Sequence, residues 1–498
     1  MKSICRTDST AVKIFQGTGL AAAGLLLAEP AFAGSLAGDR IQLPAWEELI
    51  RVILLQDYNT RVVLVGTALL GLAAGLVGTF LLLRKRALLS DTLSHATLPG
   101  IALMFIIVSM AGGEGKNLLL LIVGAAVFSV LGTAAVIVIQ KTTRLKDDAA
   151  LGIVLSVSFG LGIALLGIAT RMETGNAAGL SSFIYGKTAS MLLFDAVLIG
   201  LTALVSAVVC IAFFKEFTVI CFDGDYAASQ GWPVVRLDFF MMALVVIVTV
   251  IGLQAVGLIL VVALLIIPPS AARFWTDRLR LMLLLSGIFG AASGMVGAGI
   301  SALMANLPAG AVIVLTASVI FVLSLVFGTS RGLVKVMLER RRLRIKIARE
   351  NILREMFEYL EVNSTADVST KPPALPAAAA IHFSRLMQMR SWTAGHLKRG
   401  LKRLQAEGLL TEAREAAFQL TPAGLDAASQ VTRKHRLWEA YLVAHADIAT
   451  GQVDWGADEI EHILDSEMIA KLEKMLPTPA SAAMPPSPHT LKPTKETA

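Results

Sequence analysis

The chain has 498 residues, of which 55% are hydrophobic and only 16% are charged. Its mean hydropathy of +0.69 excludes an ordinary soluble protein and indicates that most of the chain lies in a membrane. The formal net charge of +7 is compatible with nucleic-acid binding, but much of the basic charge lies in short loops beside apolar segments, where it is first a signal of membrane topology. The three cysteines, Cys5, Cys210 and Cys221, have no paired spacing, so neither a disulfide framework nor a cysteine zinc site is predicted.

Residues 1–33 have the composition of a secretory signal peptide. Scattered basic residues precede the apolar run GLAAAGLLLA, which ends in Pro30 and the small-residue motif Ala31-Phe32-Ala33. We expect cleavage after Ala33, and an uncleaved extra helix is the alternative. Residues 34–60 then form an extracytoplasmic N-terminal segment.

From residue 61 to residue 330, apolar stretches of about 20 residues follow one another, the length that crosses a bilayer core as a helix. They are predicted near 61–83, 92–111, 118–139, 149–170, 190–214, 237–253, 255–272, 281–303 and 308–328. Because the run 237–272 is too long for one span, we expect a turn at GLQAVG. The predicted fold class is therefore an all-α polytopic membrane protein with about eight or nine transmembrane helices.

Every second loop between these spans carries Lys or Arg, which collect on the cytoplasmic side of a membrane. The basic positions are Arg84, Lys85 and Arg86; Lys141, Arg144 and Lys146; Lys215 and Arg236; Arg273, Arg278 and Arg280; and those after Arg331. This pattern starts the first span outside, in agreement with a cleaved signal, and puts the C-terminal region in the cytoplasm. The expected location is the bacterial cytoplasmic (inner) membrane.

An acid and an imidazole lie where the first basic cluster gives way to the second span. Asp91 and His95 are four residues apart and so share one helix face, and ionisable groups in a membrane need a partner or a function. Both side chains ligate divalent ions, but two ligands do not fill a coordination shell, and a second copy across a two-fold axis would supply the rest. The alternative is structural: Ser90 or Asp91 caps the helix and His95 makes an interhelical hydrogen bond.

Four segments, in this order, resemble the integral-membrane permeases of ABC importers for manganese, zinc and iron. They are LRKRALLSDTLSHATLPGIAL, GLSSFIYGK, FTVICFDGDYAASQGWPVVRLD and LQAVGLILVVALLIIPPSAARFWT. The resemblance covers about 61–330 and implies a permease dimer, either homo- or heterodimeric, with a separate cytoplasmic ABC ATPase and an extracytoplasmic metal-binding protein. In such permeases an Asp-x-x-x-His pair lines the translocation path, which matches Asp91 and His95. No permanently bound cofactor is implied: the cargo is Mn2+, Fe2+ or Zn2+, and ATP acts only through the partner subunit.

The loop 215–236 contains DYAASQG, whose small side chains allow a short helix to seat closely in a groove of another protein. By resemblance this segment is the coupling helix that docks on the ATPase, centred on Ala227, Ala228 and Gly231. A plain amphipathic connector is the alternative.

Two further patterns have simpler interpretations. GEGKN at 113–117 is similar to a phosphate-binding loop, but Met110 and Asn117 stand where Gly and Ser or Thr are required, so ATP binding is not predicted. With no nucleophile–base constellation either, an enzyme is not predicted. The pairs Gly71/Gly75 and Gly290/Gly294 have GxxxG spacing, which indicates helix packing.

After residue 330 the composition becomes charged and amphipathic, which indicates a cytoplasmic domain. A basic linker is expected at 331–343, a winged helix-turn-helix at 344–425, metal-binding or dimerisation-like helices at 426–476 and a disordered tail at 477–498, which is rich in Pro, Ser and Thr. The winged helix adds a small α+β unit to the fold class.

The winged helix-turn-helix is predicted from a helix, a short turn, a second basic helix and two strand candidates. On the second helix, Lys398, Arg399, Lys402 and Arg403 would hold phosphates while the helix enters the DNA major groove. The alternatives are a basic solvated helix or a winged helix that contacts protein.

With RKHRLWEAYL and DEIEHILDSEM, the region 344–476 resembles the diphtheria-toxin-repressor-like, metal-dependent regulators of iron and manganese. That resemblance puts metal-site positions at His435, Glu439, Asp458, Glu461 and His462. The departure is in the first helix, where Asn351 and Arg354 stand at positions that usually supply ligands; Arg cannot ligate, and a solvated acidic face is the alternative.

The leading hypothesis is a permease subunit of an importer for divalent transition metals, manganese or iron favoured and zinc the alternative, with a fused domain that senses the ion. A membrane-tethered metal-dependent transcriptional regulator, whose spans no longer transport, is the competing hypothesis.

Overall fold

The structure is a computed structural model that describes residues 46–84, 87–111, 118–172, 188–304, 307–365, 379–414, 416–445 and 466–475. The chain divides into two compact units, Met1–Leu333 and Val334–Ala498. The predictions made for the signal peptide, for GLSSFIYGK, for GEGKN and for the C-terminal tail lie outside the described residues.

The first unit consists of helices. They are α1 (Trp46–Ile53), α2 (Tyr58–Leu83), α3 (Ala87–Met110), α4 (Leu118–Thr142), α5 (Asp147–Thr170), α6 (Leu193–Ala212), α7 (Phe214–Phe222), α8 (Gly224–Ser229), α9 (Val234–Val256), α10 (Leu258–Arg273), α11 (Leu279–Leu303) and α12 (Ala309–Phe327), with a 3-10 turn at Thr188–Ser190. Within the described part, eight of these are long and apolar enough to cross a membrane, and α10 is a shorter apolar helix. The predicted class of polytopic helical membrane protein is confirmed.

The long apolar run divides inside GLQAVG, as predicted. α9 ends at Val256 and α10 begins at Leu258, and between them Gly257 has φ +87° and ψ 167°. Only glycine adopts this conformation readily, because any Cβ would clash with the backbone. Glycine is therefore the residue type best suited to end α9 at this position.

The two GxxxG pairs meet each other, which confirms their interpretation as packing motifs. A Cβ atom on Gly71 would lie 2.1 Å from the Gly290 carbonyl oxygen, and one on Gly290 would lie 2.0 Å from the Gly71 oxygen. One turn away, Ser286 Oγ donates a hydrogen bond of 2.6 Å to the Gly75 carbonyl. α2 and α11 thus touch backbone to backbone, as small residues allow in membrane helices.

The second unit has helices around a three-stranded sheet. Its elements are α13 (Leu333–Thr365), β1 (Ile381–His382), α14 (Phe383–Met389), α15 (Ala394–Ala406), β2 (Leu410–Arg414), β3 (Ala417–Leu420), α16 (Pro422–His445) and α17 (Ser466–Met475). The strands are antiparallel in the order β1-β3-β2. Helix, turn, helix and two strands follow one another as predicted, which confirms the α+β winged-helix class. The basic segment predicted as a linker is helical from Leu333 onward.

Two contacts fix α13 against α15 inside this unit. A Cβ atom on Gly400 would lie 2.5 Å from Ile352 Cδ1, so α15 approaches α13 closely at this glycine. Arg349 Nε lies 2.7 Å from Glu407 Oε2, just past the end of α15. Apolar packing and an ion pair together set the position of the basic helix relative to α13.

Candidate functional site

Asp91 and His95 lie one turn apart on α3 and face each other. His95 Nε2 is 3.4 Å from Asp91 Oδ1, and the two side chains are 17% and 34% exposed, respectively. The His95 ring packs edge-on against Phe159 of α5, with 4.9 Å between ring centroids. The structure therefore brings the predicted pair together and leaves it accessible.

The remaining nitrogen of His95 has no hydrogen-bond partner among the described residues. This atom, Nδ1, is buried, and a buried polar atom without a hydrogen bond is uncommon. Ser90 and Asp91 lie within α3 rather than before its first residue, Ala87. Neither the predicted cap nor the predicted interhelical hydrogen bond of the structural alternative is present among the described residues.

α3 is held by close approaches to its neighbours α4 and α5. A Cβ atom on Gly100 would lie 2.2 Å from the Gly124 oxygen on α4, and one on Gly162 of α5 would lie 2.7 Å from Leu98 Cβ and 3.1 Å from Pro99 Cδ. Such contacts leave α3 little freedom to rotate about its axis. They therefore fix the direction in which the Asp91 and His95 side chains point.

The sequence analysis did not single out Pro99, although its position four residues after His95 can be read from the sequence. Pro99 lies inside α3. Because proline has no N–H, the His95 carbonyl loses its intrahelical donor. The regular hydrogen-bond ladder of α3 is therefore interrupted at the carbonyl of His95.

Contacts gather several of the predicted basic loops at one end of the bundle. Arg84, just after α2, donates a hydrogen bond of 2.8 Å to the Ile220 carbonyl of α7, and its Nε lies 3.4 Å from Asp238 Oδ1, near the start of α9. The Arg280 guanidinium at the start of α11 lies 5.8 Å from the centroid of the Phe214 ring. These loops form one positively charged end, and its orientation toward the cytoplasm stays a prediction.

The predicted coupling segment contains a short helix, α8, with a defined cap at each end. Asp223 Oδ1 accepts a hydrogen bond of 2.9 Å from the Tyr226 N–H. At the other end the Gly231 N–H bonds the Ala228 carbonyl and the Trp232 N–H bonds the Ala227 carbonyl, both at 3.0 Å. This Schellman arrangement requires the left-handed φ of +80° at Gly231.

The three residues predicted to centre the coupling helix do not share one surface. Ala227 is fully buried against its own unit, whereas Ala228 and Gly231 are exposed. Two aromatic residues, Phe222 and Tyr226, are also exposed here. The surface available to a partner therefore includes these aromatic rings, which the sequence analysis did not single out.

In the second unit, the four predicted DNA-binding residues are exposed. Lys398, Arg399, Lys402 and Arg403 lie on the solvent side of α15, opposite a face of buried leucines. Arg399 and Arg403 also line a cavity of about 180 Å³ between α15 and α13, together with Arg341, Arg344, Ile345, Ala348, His396 and Gly400. The arginines of α13 were missed because the sequence alone does not bring them beside α15.

The predicted regulatory metal residues are only partly described. Asp458, Glu461 and His462 lie outside the described residues, where nothing tests them. His435 and Glu439 are fully buried on α16, with 3.3 Å between His435 Nε2 and Glu439 Oε1. Arg354 reaches them from α13, its Nη1 lying 2.6 Å from His435 Nδ1. Within the described ranges, no cluster of three or more His, Cys, Asp or Glu side chains could hold a metal ion.

A bundle of membrane-length helices with an accessible carboxylate–imidazole pair, joined in one chain to a winged-helix unit, defines a multi-pass membrane protein of the transport-permease class. The profile of the ABC 3 transport family matches residues 56–328, more than half of the chain, and the chain belongs to that family. A second profile, described as the iron dependent repressor, metal binding and dimerisation domain, matches residues 421–489. Both matches confirm the resemblances seen in the sequence.

Individual relatives agree with this assignment. The chain is 35% identical over 400 residues to the manganese transport system membrane protein MntC of Bacillus subtilis (strain 168), covering 80% of this chain and 88% of the relative. It is 40% identical over 289 residues to the zinc transport system membrane protein TroC of Treponema pallidum (strain Nichols), covering 58% of this chain and 95% of the relative. Among solved structures, PsaBC from Streptococcus pneumoniae in complex with Fab aligns with a TM-score of 0.50 and 31% identity, covering 59% of this chain and all of the other.

Proposed function

We propose that this chain is the membrane subunit through which an ABC importer moves a divalent transition metal ion into the cell. The observation that carries the proposal is the Asp91–His95 pair, with His95 Nδ1 buried and making no hydrogen bond among the described residues. Manganese or iron is favoured as the cargo, and zinc is the alternative. The relatives named for manganese and for zinc transport support this class of ion.

The chemistry of the pair suits such a cargo. Imidazole nitrogen and carboxylate oxygen both bind first-row divalent metals, while softer ions are bound mainly by sulfur. Asp91 contributes one negative charge per subunit, so a pair of subunits contributes two, which equals the charge of the ion. Two aspartates and two histidines give four ligands, with oxygen and nitrogen donors that suit first-row divalent ions.

Energy for transport comes, in this proposal, from a separate ATPase that docks at the positively charged end of the bundle. The exposed surface of α8 and its C-terminal turn, formed by Tyr226, Ala228 and Gly231, is the proposed contact. An extracytoplasmic metal-binding protein delivers the ion to the opposite end, and a second permease subunit completes the metal path.

Uptake in a bacterial strain that lacks its own manganese, iron and zinc importers tests this function. The chain is expressed with its ATPase and binding protein, and radiolabelled manganese uptake is measured with unlabelled Fe2+ or Zn2+ as competitors. Uptake that requires the ATPase supports the proposal, and the stronger competitor identifies the alternative cargo. Accumulation of each of the three ions is also measured by mass spectrometry, and if the assembled complex accumulates none of them, the proposal fails.

A second function, DNA binding by the winged-helix unit, is favoured by one specific observation. Four arginines, Arg341, Arg344, Arg399 and Arg403, line the same cavity between α13 and α15, beside the exposed Lys398 and Lys402 of the helix that would enter the major groove. A groove of guanidinium groups matches the geometry of backbone phosphates.

Gel-shift measurements with the full-length chain in detergent and DNA from its own promoter test this second function over a salt series. Affinity should fall steeply as salt rises, because phosphate contacts release counterions. Arg399→Gln should weaken binding, whereas the control Lys335→Gln, at the far N-terminal end of α13, should not. Absence of binding even at low salt would leave the unit as a protein-contact module.

A further inference from the structure

We propose that Arg354 serves as a permanent internal cation at the place where the repressor-type domain would bind a metal ion, so that α13 and α16 are held together without metal. The inference concerns the second unit alone and does not depend on the transport function.

The hydrogen-bond directions around His435 follow from the chemistry of arginine. A guanidinium group has only donors, so at 2.6 Å Arg354 Nη1–H donates to His435 Nδ1. The same Nη1 also lies 3.2 Å from His435 Nε2, and Nε2 in turn lies 3.3 Å from Glu439 Oε1. The His435 ring therefore lies between the guanidinium group of Arg354 on α13 and the carboxylate of Glu439 on α16.

This arrangement does not fit a metal ion on the same imidazole. A metal needs a free ring-nitrogen lone pair, and both ring nitrogens of His435 lie within hydrogen-bond distance of Arg354 Nη1. A divalent ion would also lie beside a buried positive charge: Arg354 is only 2% exposed, and both His435 and Glu439 are fully buried. Two cations a few ångströms apart repel strongly in such surroundings.

Acidic groups near Arg354 complete the site of a resident cation. Arg354 Nε lies 3.7 Å from Glu358 Oε1, one turn farther along α13. With Glu439 reached through His435, the guanidinium has a carboxylate on each of the two helices. Buried carboxylates require a compensating cation, and here the chain supplies it.

A second arginine joins the same two helices in the opposite direction. Arg436 of α16, which is 1% exposed, pairs with Glu361 of α13 through both guanidinium nitrogens, with 3.1 Å from Nη1 to Oε1. Bidentate pairs of this kind fix geometry as well as charge. Arg354 and Arg436 therefore form reciprocal cross-links, one donated by each helix. No metal ion at His435 is needed to hold α13 and α16 together.

Hydrogen–deuterium exchange on the full-length chain in detergent tests the inference first without any substitution. Exchange of residues 349–361 and 430–442 is compared after EDTA treatment and after addition of Mn2+ or Zn2+. We expect the same protection of both segments in all three conditions. Protection that either metal increases in both segments, and that His435→Ala abolishes, would overturn the proposal.

Two matched arginine variants give the complementary measurement. Arg354→Ala removes the internal cation, and exchange in both segments should accelerate about a hundredfold, because it leaves buried carboxylates without their cation. Arg349→Ala removes an arginine of the same helix whose partner Glu407 is exposed, and exchange in 430–442 should not change. If Arg354→Ala exchanges like the wild type, Arg354 is not the element that holds the two helices.

Discussion

Replacing Gly290 with alanine should destabilise the membrane unit, because this residue touches the backbone of α2. The added Cβ would lie 2.0 Å from the Gly71 oxygen, so the helices must separate by roughly 1.5–2 Å to reach an ordinary contact. Overpacking of this kind costs about 1–3 kcal/mol. The separation also lengthens the 2.6 Å hydrogen bond from Ser286 Oγ to the Gly75 carbonyl, and such interhelical bonds contribute about 0.6 kcal/mol on average. The better helix propensity of alanine offsets about 1 kcal/mol.

The net expectation is a loss of about 1–2 kcal/mol, which lowers the folded-to-unfolded ratio roughly five- to thirtyfold. Gly160→Ala on α5 is the matched control, because nothing lies within 4 Å of its added Cβ and only the propensity gain applies. Steric trapping in bicelles measures both free energies of unfolding. If Gly290→Ala is as stable as Gly160→Ala, the backbone contact between α2 and α11 is not present in the protein.

Three further predictions test other parts of the structure. Arg436→Gln breaks the bidentate pair with Glu361 and should cost about 1–3 kcal/mol, which differential scanning calorimetry on the full-length chain would detect; an unchanged transition would contradict that pair. Ala228→Trp places a bulky ring on the exposed side of α8 and should reduce co-purification of the ATPase; recovery equal to that of the wild type would move the docking surface elsewhere. Arg399→Gln should lower the salt slope of DNA affinity by about one phosphate contact, and an unchanged slope would remove this residue from the interface.

Many features of the membrane unit can be predicted from local patterns of the sequence. The spans follow from apolar stretches of the right length, and the break at Gly257 follows from the length limit of a single span. The acid–imidazole pair follows from a spacing of four residues on one helix. Each of these signals lies within a few turns of chain, so no knowledge of tertiary packing is needed to find it.

The remainder depends on contacts between distant segments. The burial of Ala227 was not predictable, because a helix as short as α8 has too few turns for an apolar periodicity to show which face is covered. Arg354 and His435, which are in contact, lie on two different helices and are 81 positions apart in the sequence. The sequence showed that an arginine stands at a ligand position, but only the packing of α13 against α16 shows what it does there.

The central claim is that Asp91 and His95 bind the transported ion, and metal uptake by conservative variants tests it most directly. Asp91→Asn removes the charge and His95→Gln removes the imidazole, while both preserve the size of the side chain. At equal membrane levels and equal ATPase association, each should lower uptake at least about tenfold, because changes even to the partners of metal ligands reduce affinity about 10- to 100-fold. The control Asp148→Asn, at an exposed acid in the first turn of α5, should transport normally. Near-normal uptake by both Asp91→Asn and His95→Gln would contradict the assignment of the metal path.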